Sequence, residues 1–147
     1  MICTSLRLRA VSALLLSVSL VACTSQQAPP PPDPSAVLQV IPPADAAQYE
    51  HIQNMKNWRN PYLIVRPDGV AVLDVADSAE LIVKPEDLLA ELARIPASKW
   101  PYGRVVAAAE NGVRASEKDG VAIRRNKGIV GGVLQGAHIV VKWVPSA

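Results

Sequence analysis

Tyr62-Leu63-Ile64-Val65-Arg66-Pro67-Asp68-Gly69-Val70-Ala71-Val72-Leu73-Asp74-Val75 is the most informative segment of the 147-residue chain. Two β-branched, apolar runs flank Arg66-Pro67-Asp68-Gly69, where proline and glycine sit at the places a tight turn wants them. The segment predicts a β hairpin. Just beyond it, Leu81-Ile82-Val83 extends the sheet before Pro85-Glu86-Asp87 opens a helix, with proline in the first turn and two acids near the positive end of the helix dipole. Leu88, Leu89, Leu92 and Ile95 trace one face of that helix, and Pro96 stops it.

The loop Ser98-Lys99-Trp100-Pro101-Tyr102-Gly103 leads into Arg104–Glu110, a run of small apolar residues suited to a buried central strand. Asn111-Gly112 ends it. Asp119–Gln135 is the second helix, with Ile123, Val130 and Leu134 on one stripe, Ile129 and Val133 beside it, and Gly136 as its stop. Gly128, Gly131 and Gly132 each cost about 1 kcal/mol relative to alanine, so tertiary packing must hold this helix. The expectation is that the glycines allow close approach to the sheet. Ala137–Val144 reads as the last strand. The order of elements predicts an α+β fold: a small mixed sheet, a β hairpin followed by helix-strand-helix-strand, and two helices on one face. This single domain covers residues 60–147.

Upstream, Asp45 is a candidate N-cap with Gln48 at the third helical position, and Tyr49, Ile52 and Met55 recur at threes. Residues 44–59 are expected to form a short helix on the domain's edge. Residues 24–43 hold 7 of the 13 prolines and a single charge, and read as an extended tether, interrupted by Val37, Leu38, Val40 and Ile41 as a short strand or partner-binding patch. Residues 1–9 carry Arg7 and Arg9, and residues 10–22 are uncharged. A stretch of that length falls short of the roughly 20 residues a membrane span needs and suits a signal peptide over residues 1–22.

Leu20-Val21-Ala22-Cys23 resembles the lipobox of bacterial lipoproteins, in which the cysteine takes a diacylglyceryl group and becomes the first residue after cleavage. The resemblance implies lipidation at Cys23, a tether over residues 23–43 and attachment to a membrane through the N-terminal lipid. Thr24, in place of aspartate, implies the periplasmic face of the outer membrane in a Gram-negative host. Residues 60–147 also resemble the periplasmic domain of ExbD/TolR-type biopolymer-transport proteins, through Ile64-Val65-Arg66-Pro67-Asp68-Gly69-Val70, the Leu-rich helix, the short core strand and the glycine-ended helix before a final strand. That resemblance implies a shared fold and a habit of pairing or partner binding. The family's transmembrane helix with a functional aspartate has no counterpart, since residues 1–32 contain no acid. Proton-driven energy transduction does not carry over.

Charge and chemistry narrow the function further. Without residues 1–22, Lys+Arg falls from 15 to 13 against 13 Asp+Glu, a neutral balance that argues against nucleic acid. Loss of Cys3 with the leader and lipidation of Cys23 would leave no thiol for catalysis, disulfide or metal. His51 and His138 have no second ligand at motif spacing, and no metal or cofactor is expected. The carboxylate pairs Glu86-Asp87, Asp74/Asp77 and Glu117/Asp119 are explained by a helix start and by turns. Ser78, Ser98 and Ser116 lack a nucleophile motif, and Gly128-Ile129-Val130-Gly131-Gly132 lacks the ending of a phosphate loop.

Two surfaces suit a partner: the basic cluster around Arg124 and Arg125, and the loop segment bearing Trp100, Tyr102 and Arg104, residue types enriched in binding hot spots. Trp100 also suits a lid on the core. The sequence thus predicts a lipid-anchored envelope binding or scaffold protein without catalysis. The competing reading is a small cell-wall enzyme using two of Glu110, Asp119 and His138; oligomeric state and partner identity stay open.

Overall fold

The computed structural model describes residues 30–73, 80–111 and 116–145. The expected leader, Cys23, Asp74, Asp77 and Ser78 lie outside these residues, as does Gly112. The fold is α+β, built on a five-stranded mixed sheet. The hairpin forms as its turn chemistry dictates: β1 (Tyr62–Arg66) pairs antiparallel with β2 (Gly69–Leu73), Val65 opposite Val70. Gly69 is required there, because its φ of 152° is unsuited to a side chain and an added Cβ would lie 2.5 Å from the Val83 carbonyl oxygen. β3 (Glu80–Val83) continues the antiparallel side, whereas β4 (Val105–Glu110) joins β1 in parallel and β5 (Val140–Trp143) joins β4 in parallel, giving the strand order β3-β2-β1-β4-β5.

Alternation along the strands divides the core between the two sheet faces. Leu63, Val65, Val70, Val72, Val106 and Ala108 meet Leu88 and Leu92 of α3 (Leu88–Leu92) and Ile123, Val130 and Leu134 of α4 (Glu117–Gly136). Both expected helices therefore cover one face. Ser116 caps α4: its hydroxyl accepts from the Asp119 N–H at 3.1 Å while donating to the Asp119 carboxylate at 2.7 Å.

Three expectations are corrected. The tether does not run to residue 43, because α1 (Pro34–Leu38) is capped by Asp33 and, with the turn that follows it, sends Leu38 and Ile41 into the main core. That 3-residue spacing is a helical face, which the surrounding prolines obscured. The segment 44–59 is not one helix on the edge. It forms α2 (Ala46–Tyr49), then a separate 3-10 turn (Met55–Asn57) capped by Asn54, and it lies across the second sheet face with Tyr49, Ile52 and Trp58 against Val105 and Ala107. The helix stops because the Lys142 ammonium takes the carbonyls of Tyr49 (2.9 Å), Glu50 (3.3 Å) and Ile52 (2.8 Å), oxygens a longer helix would use internally.

The third correction is at the end of α4. Gly136 is not the stop. His138 takes the left-handed conformation, φ 57°, with its N–H bonded to Gln135 and that of Ile139 to Leu134. This is a Schellman motif, and it consumes residues 137–139 that were expected to begin the last strand. No helix of the described residues is long and apolar enough to cross a membrane.

Candidate functional site

The segment expected to project toward a partner is largely committed to the interior. Trp100 is only 3% exposed and belongs to the main core, which makes it the lid and not a surface anchor. Tyr102 tilts against Trp58, ring centres 5.3 Å apart, and its hydroxyl donates to the Asn57 carbonyl at 3.2 Å. Arg104 is half-buried, its guanidinium donating to the Gln39 side chain and its N–H to the Pro42 carbonyl at 2.8 Å. Buried Asn60 organises this loop: its amide donates to the carbonyls of Gly103 (2.8 Å) and Val105 (2.7 Å) and accepts from the Tyr102 N–H (3.0 Å). Gly103, φ 76°, is needed where Pro43 crosses, since a Cβ would stand 2.2 Å from the Pro43 oxygen. Arg124 and Arg125 are exposed on α4, apart from this loop.

What the fold leaves open lies beside β5. A groove of about 500 Å³ is lined by Gly131 and Gln135 of α4, by His138 and Ile139 of its cap, and by Val140, Val141 and Trp143. Among the described residues β5 pairs with β4 alone, on one side. The N–H groups of Val140 and Val144 bond to Arg104 and Ala108 on the β4 side, so alternation turns the N–H and C=O groups of Val141 and Trp143 outward. Val140 and Trp143 keep 43% and 39% of their surface exposed. Lys127 holds one wall of this end, its ammonium 4.5 Å from the Trp143 ring centre and paired with Glu110. Such a contact fixes the indole through cation–π attraction.

The glycines of α4 have a different role from the one expected. An added Cβ at Gly128, Gly131, Gly132 or Gly136 would meet no heavy atom within 4 Å. They face open space, not the sheet, and at Gly131 the missing side chain widens the groove.

Chemistry at the other titratable groups is dispersed. Glu110 is paired with Lys127, Asp119 is bound in the α4 cap, and His51 and His138 are exposed on separate elements. Among the described residues no cluster of three His, Cys, Asp or Glu could hold a metal ion. Burial raises the Tyr62 phenol above its ordinary 10.0, and burial followed by the charges of Glu50 and Asp45 raises that of Tyr49. Sequence reasoning missed Asn60, Lys142 and Asn126, whose buried amide donates to the Arg66 carbonyl at 2.8 Å. A polar residue inside an apolar pattern was the available signal.

The fold and its open edge define a small α+β domain with a free parallel strand beside a groove. Compared with known protein families, with curated proteins and with solved structures, the chain matches none.

Proposed function

We propose that the protein is a lipid-anchored binding module of the cell envelope, without catalysis of its own, that accepts an extended segment of a partner protein along the β5 edge. The observation that carries this reading is the coincidence of backbone groups at Val141 and Trp143 that have no partner among the described residues with a groove of about 500 Å³. An added strand would gain main-chain hydrogen bonds, and one of its alternate side chains would enter the groove over Gly131. The Leu20-Val21-Ala22-Cys23 lipobox and Thr24 support placement on the periplasmic face of the outer membrane. The resemblance to ExbD/TolR-type domains supports partner binding within a transport or envelope-maintenance complex. A cell-wall enzyme has less support, since Glu110 and Asp119 are each engaged by a different neighbour.

Crosslinking in intact envelopes followed by affinity recovery tests the binding face. An added Cβ at Gly131 meets no heavy atom within 4 Å, so Gly131→Leu extends into the groove and should reduce recovered partner about tenfold, a loss of about 1.4 kcal/mol, while the melting temperature does not fall. Undiminished recovery refutes the assignment. Metabolic labelling with a palmitate analogue tests the anchor: wild type labels and Cys23→Ser does not, and equal labelling refutes it.

A further inference from the structure

A second apolar surface lies along the segment that precedes α2. α1 buries Leu38 and leaves Val37 exposed (37%), and Val40, just past its end, is exposed as well (79%). Pro30, Pro31, Pro32, Ala36, Pro42 and Pro43 are exposed along the same segment, and Asp33 is its one charge. Beside Val37 and Val40 lies a groove of about 220 Å³ whose other wall is Ala93–Ala97, with Arg94 at the rim. The Arg94 side chain is 75% exposed although it pairs with Glu91 at 2.8 Å.

Chain length bears on what could cover this surface. Ten residues, 24–33, separate Cys23 from α1. Extended as polyproline they reach about 30 Å, and as a flexible chain they average about 17 Å. A body of this size is itself about 35 Å across. An anchor no longer than the domain's own width holds the end where the chain enters against the bilayer. Exposed valines and prolines can then sink among acyl chains, and an arginine at the rim can reach lipid phosphates.

We propose that the exposed Val37–Val40 segment and the Arg94–Ala97 wall seat on the surface of the anchoring bilayer, an inference that rests on the lipid-anchor reading. The domain is then held in one orientation on the bilayer.

The test uses the full lipidated chain in phosphatidylethanolamine/phosphatidylglycerol vesicles. Cysteine introduced at Val40 would be its one free thiol and takes an environment-sensitive dye. Ile82, 43% exposed on β3 and directed to the sheet face opposite α3 and α4, gives the matched control. Lipids carrying a shallow spin label should quench the Val40→Cys dye about threefold more than the Ile82→Cys dye. Adding Val37→Asp should bring the Val40 signal toward the control without lowering the melting temperature. Equal quenching at both sites in a chain that stays on the vesicles overturns the docking and leaves the anchor intact. A chain that washes off and lacks lipid by mass spectrometry overturns the anchor and the docking with it. A shielded but unquenched Val40 dye whose shielding disappears when the protein is diluted over more vesicles assigns the face to a second copy, and also overturns the proposal.

Discussion

Replacing Gly128 and Gly132 by alanine should make the protein more stable, although both lie inside its longest helix. The two positions are exposed, and an added Cβ meets no heavy atom within 4 Å at either. The substitution therefore adds no clash and removes no contact. What remains is backbone entropy: glycine in a helix interior costs about 0.8–1.0 kcal/mol relative to alanine, mostly through the freedom of the unfolded chain. The sum for two sites is about 1.5–2 kcal/mol. For a domain of this size that corresponds to a rise in Tm of about 6–8 °C. Equilibrium urea unfolding, followed by far-ultraviolet circular dichroism and by tryptophan fluorescence, should show a higher midpoint with an unchanged slope. A midpoint that stays or falls would mean that these glycines are covered in the folded molecule, and the account of the groove wall would fail with it.

Asn60→Ala should cost about 2–4 kcal/mol, because it strands the buried Val105 carbonyl and the Tyr102 N–H and removes one of the two donors to the Gly103 carbonyl, and urea unfolding measures the loss; a cost under 1 kcal/mol contradicts the network. His138→Gly should stabilise by about 1 kcal/mol by relieving a left-handed residue that carries a Cβ, visible as a rise in melting temperature. The raised phenols of Tyr49 and Tyr62 fix a sign for alkaline behaviour. Between the unfolded and folded pKa values the unfolded chain holds fewer protons, so stability is full below pH 10 and declines above it. The double variant Tyr49→Phe/Tyr62→Phe should flatten that decline in a pH series of urea midpoints, and an unaltered decline would assign it to other groups.

The sequence spelled out what depends on near neighbours. The hairpin at Tyr62–Leu73 was legible because its turn residues and period-2 pattern are local, and the core stripe Ile123, Val130, Leu134 because helical spacing is. Features set by distant parts of the chain were not. Whether Trp100 projects or is buried depends on the core it closes, and Leu38 and Ile41 reveal a helical face only once that core exists. The break between α2 and the Asn54-capped turn depends on Lys142, about 90 residues away, and could not be read from residues 44–59 alone. At the binding face, Trp143 was legible as the end of a strand, but no local pattern says that the strand is an outer one or that the neighbouring glycines face open space.

The grip of Lys142 on three carbonyls joins the segment before the hairpin to the strand that follows every other described element. Its contacts span 90–93 residues, and β5 itself pairs in parallel with β4 across the whole of α4. Such non-local closures form late, since loop entropy is spent before they give anything back. A chain that stops short of Val140 has no partner for the second edge of β4 and no cation for the carbonyls of Tyr49, Glu50 and Ile52. The domain in this sense reaches its final packing only once β5 is in place, and until then its hairpin side is the part with native neighbours to hand.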